Sequence, residues 1–270
     1  MSVIAVFSGP YCTTEELVAK LAARTGYPLV DEKTLLEVAA RSGMPTEKLA
    51  RALRGDSGFF DVFTHEFERS LISIRAAVAE FLRTDEQILS GPAALLIPEA
   101  VSHALRVEVT AERSYRVARA VRRDEIDAGE AEQRVVRTDR DNEQWTGKLV
   151  ERGYWRPNSY DIRISLSNTT IDDAVEIICD NAAKLRPTAS TIQAVVDFRL
   201  ASRVHMELLE MGHHETEVKA SNGRVKVVTL RQAGPGKLSR TLHTLRLESL
   251  EDDLKHLRQN VDGVSSIEAY

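Results

Sequence analysis

Few cysteines and no long apolar run are the first features of this sequence. Its 270 residues include two cysteines, Cys12 and Cys179, which excludes a disulfide framework beyond a single bridge and a four-thiolate zinc site. No stretch approaches the roughly 18 to 20 apolar residues of a membrane-spanning helix, and residues 1–7 have neither the basic leader nor the long apolar core of a signal peptide. We therefore expect a cytoplasmic protein.

The chain also has only a small excess of charge of one sign. The chain has 36 Lys and Arg against 41 Asp and Glu, a formal net charge of −5. Residues 187–270 are balanced at 11 against 11, so residues 1–186, with 25 against 30, carry the acidic excess. Neither part has the basic surface that binds nucleic acid or anionic lipid. We expect no nucleic-acid partner and no membrane partner.

What is present is the composition of a globular protein. Hydrophobic residues make up 43% of the chain and aromatic residues 6%, and the mean hydropathy is −0.26. These values differ from those of disordered and low-complexity chains. A length of 270 residues corresponds to one large domain or two.

The first thirty residues predict the beginning of an alternating α/β domain. Residues 3–7 form a continuous apolar run, typical of a strand buried on both faces of a parallel sheet. After a loop at 8–12, the pattern Thr-Thr-Glu-Glu at 13–16 predicts a capping box, in which the first Thr and the last Glu satisfy the first amides of a helix. Residues 27–31 predict a second strand with Asp31 at its carboxyl end.

Helical and strand patterns alternate along residues 34–183. Apolar periodicity predicts helices, and short continuous or alternating apolar runs predict strands. Helices are predicted at 34–53, 59–82, 112–123, 128–148 and 171–183, and strands at 87–90, 105–109 and 160–166. Strands separated by helices indicate a parallel sheet with helices on both faces, so the predicted fold class is α/β.

A second, smaller unit is predicted after residues 184–190, where Pro187 and small polar residues follow a helix end. The pattern there is a long helix, a hairpin, a helix and a short strand: 194–208, 215–230 around Asn222-Gly223, from near Ser249 onward, and 264–267. This is a small α+β unit. We therefore place one domain at 1–186 and a C-terminal α+β domain at 187–270.

Three segments carry a resemblance to a known family. They are 137–140 (Arg-Thr-Asp-Arg), 154–162 (Tyr-Trp-Arg-Pro-Asn-Ser-Tyr-Asp-Ile) and 171–178 (Ile-Asp-Asp-Ala-Val-Glu-Ile-Ile). In order and spacing they resemble the lid, the last core strand and the last helix of the cytidylate kinase-like members of the P-loop nucleoside monophosphate kinases. The resemblance covers residues 1–184 and implies a P-loop kinase-like sheet, a nucleotide ligand, and ATP and Mg²⁺ as cofactors. The C-terminal domain resembles a BON-type module, which implies contact with a protein partner or a homo-oligomer.

By resemblance, Gly9, Thr13 and Thr14 form the cofactor-binding loop, and Asp31 lies near the monophosphate acceptor or the magnesium. Such a loop aims backbone amides and one Lys at phosphate oxygens from a helix N-terminus. From the residues alone, Asp31 serves equally well as the N-cap of the helix that follows it.

The loop departs from the family's pattern. Pro10 has no N–H, and Glu15 or Thr14 stands at the Lys position, depending on the alignment. The predicted capping box would also occupy the amides that a phosphate needs. Pro92 follows Gly91 where the family has a Gly-Arg turn, so the cation of a second phosphate contact is not supplied at this position.

The helices predicted at 112–123 and 128–148 are rich in arginine. In the family, lid arginines neutralise charge on the transferring phosphoryl group, and by resemblance Arg122, Arg123 and Arg137 take this catalytic role. Acidic residues interleave with these arginines, so the same helices also fit a solvent-exposed pair with local ion pairs. The sequence leaves both interpretations open.

Two functions are compatible with these patterns. One is a cytidylate kinase-like fold with a degenerate phosphate-binding loop, reused for binding, regulation or assembly. The other is an active nucleoside monophosphate kinase that uses ATP and Mg²⁺. No metal ligands are assigned, because the adjacent His213 and His214 lack the spacing of a ligand pair. Cys12 precedes a helix N-terminus, which lowers a thiol pKa, but Glu15 and Glu16 oppose this effect, so no reactive role is assigned.

Overall fold

The computed structural model describes residues 2–55, 65–214, 216–229 and 237–269, with side chains given except at 237–247. The described helices are α1 Thr14–Thr25, α2 Glu32–Ala39, α3 Thr46–Leu53, α4 Glu66–Phe81, α5 Arg113–Asp124, α6 Ala128–Glu151, α7 Ile171–Ala182, α8 Ala189–Glu210 and α9 Lys237–Asn260. The strands are β1 Val3–Ser8, β2 Leu29–Val30, β3 Ile88–Ser90, β4 Ala104–Thr110, β5 Ile162–Ser165, β6 Thr216–Ser221, β7 Arg224–Thr229 and β8 Ser266–Ala269. Within these ranges, no helix has the length and apolar character needed to span a bilayer.

The first five strands form one parallel sheet in the order β2-β3-β1-β4-β5. The chain passes from β1 to one side of the sheet through β2 and β3, and then returns to the other side through β4 and β5. This change of direction at β1 creates a crevice at its carboxyl end, the usual ligand position in open α/β sheets. The predicted α/β fold with helices on both faces is confirmed.

Alternate residues of β1 point into two separate cores, which explains its continuous apolar run. Val3, Ala5 and Phe7 belong to a core that also contains side chains of α2, α3, α4 and α6. Ile4 and Val6 belong to the core of the opposite face, with side chains of α1 and α7. Every residue from 3 to 7 is at most 8% exposed. Because side chains of a strand alternate between faces, only an apolar residue fits each position.

Two predicted helices differ from the structure, and a third is described only in part. The predicted helix 34–53 is two helices, α2 and α3, because Gly43 has a left-handed φ of 84° and Pro45 precedes α3. Of the predicted helix 59–82, the structure describes α4 from Glu66, and residues 56–64 lie outside the described ranges. In the C-terminal part, α9 begins at Lys237, well before the predicted start near Ser249.

The C-terminal sheet has the order β6-β7-β8 and contains the predicted hairpin. Asn222 and Gly223 have φ values of 51° and 78°, which is the conformation that a two-residue hairpin turn needs. Helix α8 contributes to two cores: Val195 and Phe198 pack with the first domain's core, whereas Val204 and Leu208 pack against the C-terminal sheet. The division at residue 187 stays a prediction.

Gly55 is expected to tolerate no side chain. Its φ is +70°, and a Cβ there would lie 2.5 Å from the backbone N of Trp145 in α6. Gly26 has a similar φ of +74°, but a Cβ at that position would have nothing within 4 Å. Gly26→Ala should therefore lose about 1–2 kcal/mol of unfolding free energy from left-handed strain alone, and Gly55→Ala should lose more than about 3 kcal/mol because the backbone must also move. Urea unfolding measures both, and equal losses would contradict the close approach of α6 to Gly55.

Candidate functional site

The loop after β1 lies in the crevice at the carboxyl edge of the sheet. The Gly9 amide donates to Val109 O of β4 at 3.2 Å, and the Gly91 amide after β3 donates to Val6 O at 2.9 Å. Gly91 has φ 113° and ψ −171°, a conformation open to glycine only. The start of the loop after β1 is therefore fixed to β4, and the turn after β3 is fixed to β1.

The predicted capping box is absent from this loop. Thr13 has a left-handed φ of 59°, and its side chain makes no hydrogen bond to the start of α1. Its Oγ1 instead lies 3.1 Å from the hydroxyl of Tyr115 on α5. An N-cap residue needs an extended backbone to turn its oxygen toward the helix amides, and Thr13 does not have one. The prediction was wrong, and the N-terminus of α1 has no cap from this side chain.

A polar cavity of about 250 Å³ adjoins the uncapped end of α1. Thr14 lines it, is only 8% exposed, and its Oγ1 has no hydrogen-bond partner among the described residues. A buried hydroxyl without a partner is costly, and a helix N-terminus attracts negative charge. The cavity therefore has the chemistry to accept an anionic oxygen. Its lining comes from the loop and from α1, α5 and α6: Ser8, Gly9, Pro10, Tyr11, Cys12, Thr14, Glu15, Arg123, Thr138 and Asn142.

The arginines near this cavity form ion pairs with carboxylates of the same chain. Arg116 on α5 makes a bidentate pair with Asp139 on α6, at 2.6 and 2.9 Å. Arg123 contacts Asp124 at 2.9 Å and Glu15 at 3.3 Å. These contacts join α5 both to α6 and to the first turn of α1.

Asp124 is the centre of the second group of contacts. Its carboxylate accepts a hydrogen bond from the Tyr11 hydroxyl at 2.7 Å and pairs with Arg134 at 2.6 Å, in addition to Arg123. The Tyr11 hydrogen bond and then the Arg123 guanidinium hold the pKa of Asp124 well below its usual range. Arg123 also lies 4.3 Å from the centre of the Tyr11 ring. The loop and the two arginine-bearing helices therefore form one charged network.

The structure brings together some of the predicted site residues. Gly9, Thr14 and Arg123 line the cavity, and Thr13 stands beside it in the loop. Arg122 and Arg137 are exposed and do not line it, and the Arg122 Nε donates to Ala118 O at 3.2 Å. The roles assigned to these residues stay predictions.

Asp31 lies two strands from β1, at the carboxyl end of β2. It caps α2, because its side chain accepts the Thr34 amide at 2.8 Å. Hydrogen bonds from the side chain and the backbone of Thr34 lower the pKa of Asp31. The structure thus gives Asp31 the N-cap position that the sequence allowed, and its predicted role toward a monophosphate or magnesium stays a prediction.

Sequence reasoning missed the carboxylates and tyrosines that organise the site. Asp139 lies 23 positions from Arg116, and Tyr11 lies 113 positions from Asp124, so no local spacing connects either pair. The available signal was the interleaving of acids and arginines on α5 and α6, which predicted pairing but not the partners. Among the described residues, no group of three or more His, Cys, Asp or Glu side chains stands where it could hold a metal ion.

Comparison with known proteins concerns the first two thirds of the chain. The model of the cytidylate kinase-like family matches residues 3–168. An uncharacterised protein from Eubacterium ventriosum is 15% identical, over 68% of this chain and 99% of that chain, with a TM-score of 0.51. A shikimate kinase from Bacteroides thetaiotaomicron (12% identical, 67% and 98% covered, TM-score 0.40) and a gluconokinase from Sinorhizobium meliloti (13%, 68% and 91%, 0.39) are also similar. At 15% identity, the similarity to the Eubacterium ventriosum protein shows only that the fold is shared. No curated protein matches the sequence.

Cys12 is expected to be chemically inert. It is 1% exposed, and burial raises the pKa of its thiol to about 11, although the nearby Arg116 opposes this rise. Only about 0.1% of such a thiol is ionised at pH 8, and the thiolate is the reactive form. In a Cys179→Ser variant, we expect iodoacetamide to modify folded Cys12 at least about a hundredfold more slowly than in urea. The Cys12→Ser variant is the control, because in it only Cys179 can react. Similar modification rates for Cys12 in the folded and the unfolded protein would refute the expectation.

Proposed function

Because the chain belongs to the cytidylate kinase-like family, we propose that it uses the nucleotide-kinase fold to bind a phosphate-bearing ligand without transferring a phosphoryl group. The observation that carries this proposal is the pairing of Arg116, Arg123 and Arg134 with carboxylates of the chain itself. A lid arginine assists transfer by meeting the charge that develops on the phosphoryl oxygens. A carboxylate already paired with that arginine neutralises its positive charge and weakens its attraction to the phosphoryl oxygens.

The composition of the loop supports binding without transfer. It has no Lys, and Glu15 and Glu16 stand in the first turn of α1. Loss of one preorganised donor to a developing charge costs about 3 kcal/mol of transition-state stabilisation. The uncapped helix and Thr14 fit a single phosphate group, whereas the two acids repel the larger charge of a triphosphate. The residues present therefore fit ATP with Mg²⁺ poorly, and we derive no reaction step through it.

A second candidate is the active nucleoside monophosphate kinase, with ATP and Mg²⁺ as cofactors. The open N-terminus of α1 and the unpartnered Thr14 Oγ1 favour it, because a phosphate group needs this environment. Arg123 is the predicted catalytic arginine that lies at the cavity. Arg122 and Arg137 would have to reach the ligand through a movement of α5 and α6.

The C-terminal unit is proposed to make the contact with a protein partner or with a second copy of the chain, as its resemblance to a BON-type module implies. Two observations support this role. Ile192 and Val196 lie one turn apart on α8 and are 54% and 48% exposed, and β6 and β8 are the edge strands of a three-stranded sheet. Exposed apolar residues and open strand edges are features of interaction surfaces.

The two candidate functions differ in turnover. We expect inorganic phosphate or a nucleotide such as CMP, at about 100 times its Kd, to raise the melting temperature by about 5 °C or more. Such saturation adds about 2.7 kcal/mol to the free energy of unfolding. We expect no transfer from ATP to CMP or dCMP above the buffer background in the presence of Mg²⁺. Transfer above background would establish the second candidate, and the absence of any shift with every nucleotide and with phosphate would refute ligand binding at this loop.

Neutralising Asp124 should strengthen phosphate binding. Asp124→Asn removes the carboxylate charge nearest to Arg123, so this arginine, which lines the cavity, becomes available to a phosphate. We expect the Kd for inorganic phosphate, measured by calorimetry, to fall about tenfold or more, the gain expected from one additional charge-assisted contact. Asp180→Asn, an exposed position on α7, changes the net charge equally and should leave the Kd unchanged. An unchanged or weaker affinity in Asp124→Asn would show that the carboxylate does not compete with phosphate.

A further inference from the structure

A second cavity, of about 470 Å³, lies between the first sheet domain and the C-terminal sheet. It is lined by Arg75 of α4, by side chains of α8, by the segment 153–156 after α6, by residues 96 and 98–100, and by residues 217–222 of β6 and its turn. None of its lining residues lines the cavity beside Thr14. Asn142 at that other cavity and Glu151 at the end of α6 are separated by about 14 Å of helix. The two cavities are therefore separate sites.

Arg75 of α4 lines this second cavity and is only 8% exposed. Its Nε is buried without a hydrogen-bond partner, and none of the described residues forms an ion pair or accepts a hydrogen bond from its guanidinium. The guanidinium carbon lies 3.8 Å from the centre of the Tyr154 ring and 5.3 Å from that of Phe198. These cation–π contacts offset part of the cost of burial but leave the N–H groups without an acceptor. A buried cation in this state is costly unless an anion joins it.

The other charged side chains of the cavity already have partners. Arg156 lies 3.5 Å from Glu99, and Lys219 lies 2.8 Å from Glu217. Asp197 accepts hydrogen bonds from the Asn222 and Gly223 amides at 2.9 and 3.3 Å, which hold the hairpin turn against α8. The cavity therefore contains three satisfied carboxylates and one cation whose hydrogen-bonding groups are unused.

The walls of the cavity are apolar and aromatic. Its aromatic side chains are those of Tyr154, Trp155 and Phe198. Further apolar surface comes from Leu96, Ala194 and Ala201. Its volume of about 470 Å³ is within the usual range for small-molecule sites, in which apolar walls hold the body of a ligand and a few polar groups orient it.

We propose that this cavity binds a small organic anion with a planar apolar body, whose carboxylate or phosphate pairs with Arg75. The planar guanidinium offers two parallel N–H groups that match either oxyanion. The ring system of the ligand packs against Trp155 and Phe198. Since α8 and β6 form one side of the cavity and α4 the other, the bound anion links the two parts of the chain. This site is independent of the proposed function of the loop after β1.

Three matched probes test the site: naphthalene-2-carboxylate, 2-naphthyl phosphate and the neutral naphthalene-2-carboxamide. By calorimetry on the full chain, we expect at least one of the two anions to bind ten or more times more tightly than the carboxamide. The stronger of the two anions identifies the headgroup. The chain has two tryptophans, Trp145 and Trp155, and only Trp155 lines the cavity. In NMR spectra the bound probe should move the indole N–H signal of Trp155 and leave that of Trp145, with Trp155→Phe used for assignment.

Arg75→Met should abolish the preference for the anions, and Arg156→Gln, at an exposed cation of the same cavity, should change the affinity by less than twofold. Because Arg75 has no carboxylate partner, its replacement should leave the melting temperature unchanged or higher, whereas loss of a structural ion pair would lower it. Ala194→Phe, which keeps Arg75 but fills the cavity, should abolish probe binding and so tests the site even if Arg75→Met does not fold.

Three results would overturn the proposal. They are equal binding of the carboxamide and both anions, a preference for the anions that survives in Arg75→Met or Ala194→Phe, and a Trp155 signal that no probe moves. Binding of phosphate at the loop after β1, measured with Asp124→Asn, is unaffected by any of these results, so the two proposals fail separately.

Discussion

The burial of β1 on both faces is the constraint on which the rest of the first domain depends. A strand without a polar face needs helices on each side of the sheet, and α1 with α7 and α4 with its neighbours supply them. Strand β4, which lies beside β1, then fixes the start of the loop that follows β1, because the Gly9 amide donates to Val109 O in β4. The position of the cavity beside Thr14 is thus a consequence of how the core is packed.

Electrostatic contacts between helices determine what this cavity can do. Arg116 with Asp139, and Arg123 and Arg134 with Asp124, join α5, α6 and the loop. Under the proposed function, the same contacts neutralise the arginines that would otherwise stabilise a transferring phosphoryl group. Under the same proposal, ion pairing between the helices and phosphoryl transfer compete for the same arginines, while the N-terminus of α1, which has no cap from Thr13, is suited to a bound anion.

Helix α8 connects the two parts of the chain because its two faces belong to different cores. Val195 and Phe198 pack with the first domain, and Val204 and Leu208 pack with the C-terminal sheet. The gap left between these packed faces is the cavity that contains Arg75. A ligand there contacts both parts at once, so its binding energy contributes to the stability of their arrangement.

The order of strands and helices was decided by the sequence alone, since apolar periodicity, the Asn222-Gly223 turn and the family resemblance depend on residues close together in the chain. The sequence also placed Gly9 and Thr14 in the segment after β1 that lines the cavity, and their predicted role as cofactor ligands stays a prediction. Only the tertiary structure decided that Thr13 bonds to Tyr115 instead of capping α1, and that Arg116 faces Asp139. Equally, no local pattern indicates that Arg75 is buried without a carboxylate. These contacts join segments distant in the chain, and their geometry is set by the packing of helices on the sheet, which residue spacing within one segment does not encode.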